Sequence, residues 1–400
     1  VPRFLPFRAL RYAPNTDLAN ACSPPYDVLN DADRAQLVAR HPQNIVNIDL
    51  PISIDPQRDA YQSAALILKS WIEDGVLERD EDPTFTLYRM HFIDTLGKQR
   101  HIVGVLGAIE VVDEGASGVL AHERTTPKAK TDRLDLTRAT DANLSPVWGL
   151  SLTKGLSDLL KSQAEIVGSY VDEQGVTHTV ERVTDAARIE AITACIAEQP
   201  VIIADGHHRY AISRTYRDET RVRTGSQSTG AEETLTFVNE LIDEQLSVAA
   251  IHRLYTDISQ SDLLAALQQS FDVSDAPPVD SNTLATMDRD GCLCFIGGNS
   301  QVKWITPRNA AFVGVRSLDS ARLEHALQNT AHTVSFQHGV AEVVDVLAKR
   351  QANAAILIRP VSVAEIQRTA TEGILMPPKS TFFTPKLRTG FVLRELNTRD

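Results

Sequence analysis

Val201-Ile202-Ile203-Ala204-Asp205-Gly206-His207-His208-Arg209-Tyr210-Ala211-Ile212 carries the densest chemical signal in the chain. Four apolar, mostly β-branched residues end in Asp-Gly, and a segment of helical composition follows, so the stretch predicts a strand, a tight turn and a helix N-terminus. The first amides of a helix lack intrahelical acceptors and carry the positive end of its dipole, which makes such a turn an anion site. Gly206 lets a ligand approach the backbone. Arg209, expected to be exposed there, offers a fork of donors matched to phosphate oxygens, and two imidazoles stand beside it. An ordinary βα turn with a polar surface is the plain alternative.

Working outward, the chain of 400 residues exceeds a usual single core, and its 42% hydrophobic and 23% charged content is that of a globular protein. The formal charge of −12 disfavours long nucleic acid as a partner. Cys22, Cys195, Cys292 and Cys294 are too few for a disulfide scaffold, and no second pair completes a zinc site with Cys292 and Cys294, so buried structural thiols are expected. No apolar run reaches the length of a membrane span, and with no signal peptide recognisable the expected setting is the cytoplasm.

Several other segments gather polar chemistry. Ser23-Pro24-Pro25-Tyr26-Asp27-Val28 presents Tyr26 and Asp27 from a proline-stiffened path, followed by a helix near 32–40. Asp55-Pro56 reads as the start of a helix that stops at Gly75, and residues 85–112 read as a β-hairpin. His122-Glu123 through Lys128 to Asp132-Arg133 precedes apolar residues at helical spacing. Arg221 to Glu233 is polar with two glycines and reads as a mobile loop able to act as a lid, and His252-Arg253 is expected at a strand end.

From about 256 to 370, alternating helices and strands predict a smaller α/β or α+β unit. Residues 371–400 then include Lys379 and hydroxyl residues held between prolines, a segment able to clamp an anion and expected to return to the site, with a covering tail packed by Phe382 and Phe383 as the alternative. Residues 1–255 would form the main catalytic region, with His122-Glu123, the Asp205 turn and the Lys379 segment meeting in one cleft.

Taken together, Pro6-Phe7-Arg8, Ser23-Pro24-Pro25-Tyr26-Asp27-Val28, His122-Glu123 through Asp132-Arg133, Ala204 through Tyr210, His252-Arg253 and Pro378-Lys379-Ser380-Thr381 through Pro385-Lys386 resemble the bacterial and archaeal domain-of-unknown-function family 1015 over nearly the whole chain. The central turn also resembles the ParB/sulfiredoxin superfamily motif Gly-Cys-His-Arg-Tyr, matched by Gly206-His207-His208-Arg209-Tyr210. That resemblance implies a mixed α/β fold whose turn holds nucleotide phosphates, and some superfamily members phosphorylate free serine. His207 stands where sulfiredoxins have their reactive cysteine, which removes sulfinic-acid repair.

The expected function is a nucleotide-dependent phosphotransferase acting on a small hydroxy compound, with ATP or ADP and Mg²⁺ as cofactors. Gly206, His208 and Arg209 are assigned to phosphate, with Lys128 and Lys379 as further cations. Asp205 or Glu123 is the expected base, His207 a further catalytic group, and Tyr26, Asp27, His122 and Arg253 the acceptor side. A non-enzymatic nucleotide-sensing or interaction module is the second reading. A metal phosphohydrolase using His122, His207, His208 and His252 is the third, although no spacing matches a recognised metal site. A homodimer stays open.

Overall fold

Val201–Asp205 forms the expected strand because its β-branched residues are buried on both faces of a sheet, pairing parallel with Val119–Ala121 and antiparallel with Val147–Ser151. This computed structural model describes all residues except 55–56, 95–96, 123–129, 374, 378 and 398–400, and the side chains of 130, 131 and 370 are also outside it. Val147–Ser151 pairs parallel with Glu233–Glu240, which continues antiparallel into Gln99–Glu110, Phe85–Ile93, Thr177–Val183 and Glu165–Val171. Phe4–Leu5 adds to Gln99–Glu110, giving a nine-stranded mixed sheet. Its core joins Phe4, Phe85, Val105, Ile203 and Val238 to Ile192 and Tyr210 of two helices, Ala186–Ile196 and His207–Thr224.

The chain divides into two compact units, residues 1–246 with 385–400, and residues 247–384. These limits differ from the ranges 1–255, 256–370 and 371–400. Ile251–Thr256 is hydrogen-bonded between Thr333–His338 and Ala354–Leu357, so it belongs to the second unit, and only the chain from Pro385 returns to the first. The second unit holds a six-stranded sheet whose pairings are all antiparallel, the α+β form of the expected arrangement. Phe271, Phe295 and Ile356 pack with one set of helices, whereas Met287, Cys294 and Val343 form a separate cluster.

Local readings differ in three places. The helix Ala60–Glu73 is capped by Asp59, whose side chain accepts from the Gln62 amide, and Asp55-Pro56 lies outside the described residues. The segment 221–233 is not one loose loop. The helix runs on to Thr224, residues 230–232 are buried, and Arg221 pairs with Glu232 at 2.5 Å. His252 and Arg253 sit inside a strand rather than at its end. All four cysteines are free and buried. Among the described residues no helix is long and apolar enough to cross a membrane.

Candidate functional site

Gly206 opens the 18-residue helix His207–Thr224 with φ +86°, in the left-handed region that glycine alone enters cheaply. A Cβ there would also lie 2.9 Å from Arg209 Nε, because the guanidinium folds back over the turn. Arg209 is therefore not the exposed residue expected. Its side chain is 12% exposed, and it donates to the Pro146 carbonyl and, at 3.0 Å, to Asp205 Oδ2. Gly206, as N-cap, has no side chain to cap the helix, and its first-turn amides have no intrahelical acceptor, while the Tyr210 amide closes the first turn on the Gly206 carbonyl at 2.9 Å.

The other oxygen of Asp205 meets Lys386 Nζ at 3.3 Å. Burial opposes the carboxylate's charge, but Lys386 and Arg209 outweigh it and hold this carboxyl well below the usual range. Beside it, His207 and His122 bring their rings to 4.9 Å. His122 is fully buried, its Nδ1–H donates to the Ile203 carbonyl at 2.5 Å, and burial lowers its pKa to about 4. Burial and the neighbouring His122 likewise depress His207, whose Nε2 has no hydrogen-bond partner among the described residues. Both imidazoles are neutral at pH 7, so neither offers a positive charge to a phosphate.

Arg209 also lies within electrostatic reach of Tyr26, Asp27 and Asp49. Tyr26 opens the 3-10 turn Tyr26–Val28, and Arg133 lies over its ring at 3.9 Å. Arg133 Nη1 also donates to the Asp49 carbonyl at 2.5 Å and reaches Asp49 Oδ1 at 3.2 Å.

The first unit thus brings together Asp205, Gly206, His207, His208, Arg209, His122, Tyr26 and Asp27. Glu123 and Lys128 lie outside the described residues. Lys379 and Arg253 belong to the second unit, where Arg253 Nη1 donates to the carbonyls of Ile251 at 2.6 Å and Lys379 at 3.1 Å. His252 Nδ1 accepts from the Ile358 amide at 3.2 Å. No group of three or more His, Cys, Asp or Glu able to hold a metal occurs among the described residues. Sequence reasoning missed Lys386, Arg133 and Asp49 as site residues. Lys386 stands just past the proline-bounded segment that holds Lys379, with nothing local to mark it, and Asp49 closes a four-residue helix with no motif.

A mixed sheet whose buried strand ends in a glycine-opened helix, with a carboxylate between two cations, defines a mixed α/β protein. The chain belongs to the family described as "Protein of unknown function (DUF1015)", which matches residues 4–321. No curated protein matches it. Among solved structures it is similar to a free serine kinase in complex with AMP, with 10% identity and a TM-score of 0.40 over 74% of this chain and 92% of that one. It is also similar to SbnI with C-terminal truncation from Staphylococcus aureus, with 12% identity and a TM-score of 0.41 over 72% and 87%. A conserved hypothetical protein from Pyrococcus furiosus matches with 11% identity and a TM-score of 0.39 over 73% and 95%.

Proposed function

We propose that this chain is a nucleotide-dependent phosphotransferase acting on a small hydroxy compound, with ATP or ADP as donor. The observation that carries the reading is the pair of cations, Arg209 and Lys386, drawn onto Asp205 at the mouth of a glycine-opened helix. A nucleotide phosphate offers those cations a second anionic partner while accepting from the first-turn amides. As they turn to the phosphate, Asp205 loses the charges that depress it and becomes a better acceptor, able to share Mg²⁺ with phosphate oxygens or to orient a hydroxyl. Mg²⁺ bound with nucleotide needs only one or two protein carboxylates, of which Asp205 would be one. Glu123 remains a candidate base, and Lys128 and Lys379 remain further candidate cations. His207 and His122, both neutral, can donate or accept a proton at the acceptor side with Tyr26, and serine-like amino acids are the first acceptors to try.

The test is titration of ATP and ADP, with and without Mg²⁺, into the full chain by calorimetry and thermal shift. Lys386→Met serves better than an Arg209 variant because Arg209 is bound to the Pro146 backbone. Losing one charge-assisted contact is expected to weaken nucleotide binding by about 1.5–3 kcal/mol, roughly 10- to 150-fold. If no nucleotide at millimolar concentration raises the melting temperature, the reading fails. Tight binding without transfer to any alcohol or to water favours the nucleotide-sensing module, which the weakly basic Asp205 would suit.

A further inference from the structure

Asp49 is 2% exposed and ends the short helix Val46–Asp49. Arg133 Nη1 holds its Oδ1 at 3.2 Å, but Oδ2 is buried with no hydrogen-bond partner among the described residues. The buried Thr389 hydroxyl stands beside it, close enough to lower the Asp49 pKa but without a hydrogen bond of normal geometry. Buried carboxylate oxygens are rarely left so, because each forfeits its hydration without compensation.

Asp49 lines a cavity of ≈ 40 Å³ together with Arg133, Arg209, Asn143, Ser145 and Ser213. At about 10–15 Å³ for each water, that space holds two or three waters or the hydroxyl-bearing end of a small alcohol, and it excludes a nucleotide. Arg209 joins the two places: it lines this cavity and at the same time binds Asp205 at the helix-opening turn. A hydroxyl in the cavity and a phosphate at Gly206 would therefore share one guanidinium, placed to neutralise charge that builds between them.

Resting on the phosphotransferase reading, we propose that this cavity takes the alcohol head of the acceptor and that Asp49 Oδ2 accepts its proton. In the step, the acceptor oxygen bonds to the terminal phosphorus of a nucleoside di- or triphosphate as the bridging P–O bond breaks. The hydroxyl proton passes to Asp49, and the shortened nucleotide leaves with the electron pair. The two carboxylates are suited to different tasks. Burial raises Asp49 above the ordinary carboxylate range despite Arg133 and Arg209, whereas Asp205 is held below it, and a base works best when its pKa approaches the working pH.

The experiment uses the full chain, ATP or ADP with Mg²⁺, and water or a panel of small alcohols as acceptor. Asp49→Asn is expected to keep nucleotide affinity within about threefold and to lower phosphate release or transfer about 100-fold or more, with partial recovery in Asp49→Glu. Ser145→Leu fills the cavity without touching the carboxylate and is expected to lower turnover at unchanged nucleotide affinity, which keeps the test decisive if Asp49→Asn folds poorly. Turnover in Asp49→Asn within threefold of the parent overturns the inference, as does an equal loss of affinity. A parent chain that binds nucleotide but transfers phosphate to no acceptor also overturns it, leaving nucleotide binding in place. A parent chain that binds no nucleotide overturns the phosphotransferase reading itself, and the inference with it.

Discussion

Asp205 and Asp172 both receive a cation from the segment that returns to the first unit, Lys386 in one case and Arg388 in the other. Around Asp172 one oxygen is held by two backbone amides and the other by two side chains locked in a further network. The amides of Gln174 and Val176 reach Oδ1 at 2.9 and 3.0 Å, and His178 Nε2 and Arg388 share Oδ2. The network then closes on itself: the Tyr88 hydroxyl donates to His178 Nδ1 at 2.8 Å and accepts the Arg388 amide at 3.2 Å. Asp205 instead meets the ends of two long side chains, with its own side chain 26% exposed. Fixed backbone donors satisfy a carboxylate for good, whereas side-chain cations can exchange it for another anion, so Asp172 reads as scaffold and Asp205 as site.

The comparison breaks most readily through stability. Asp172→Ala leaves Arg388, with its side chain 9% exposed, only the longer contact to Glu173 at 3.8 Å, and is expected to cost about 3–5 kcal/mol in a urea titration, since the His178 network opens with it. A loss no greater than that of an Asp205 variant would erase the distinction. Asp205→Asn is expected to cost less, about 1.5–3 kcal/mol, and to tighten binding of ADP measured without Mg²⁺, because Lys386 and Arg209 no longer have a competing carboxylate. Weaker ADP binding in that variant would mean that Asp205 supports the phosphate site rather than occupying it.

Acid sharpens the contrast with the smallest effect. Burial holds the pKa of His178 at about 4, below the ordinary 6.5, so the folded chain keeps it neutral while the unfolded chain protonates it. Its contribution is complete above pH 6.5 and is lost as pH falls toward 4, with a slope of up to about 1.4 kcal/mol per pH unit for one group. His178→Gln is expected to flatten that part of a stability-versus-pH curve. His122 and His252, also near 4, titrate in the same window and leave a residual slope. An unchanged slope in the variant would mean that His178 is not held neutral by its network.

Short-range features were legible because they are encoded in adjacent residues. The Val201–Asp205 strand, the Gly206 turn, the hairpin of Phe85–Ile93 with Gln99–Glu110 and the helix Asp31–Arg40 capped by Asn30 all follow from local pattern. What could not be read depends on partners far along the chain. Composition made 221–233 a loose loop, yet Arg394 donates to the carbonyls of Gly230 and Glu233 from beyond the second unit. Lys386 and Lys379 look alike in sequence, and only tertiary structure assigns the first to Asp205 and the second to the other unit. Asp49 was invisible because a buried carboxylate amid Val46 and Ile48 resembles a helix end.

The return of the chain at Pro385 also sets an order in time. The whole 247–384 unit lies between Asp205 and Lys386 in synthesis, so a growing chain translates Asp205 and its helix long before it has the lysine that balances them. At roughly 5–20 residues per second the gap is on the order of ten seconds. During that interval Arg209 alone faces Asp205, and Asp172 lacks Arg388. The charge balance at Asp205 is therefore completed only once translation has passed the second unit, and a message cut short within that unit would yield a first domain with its sheet but without its charge-balanced centre.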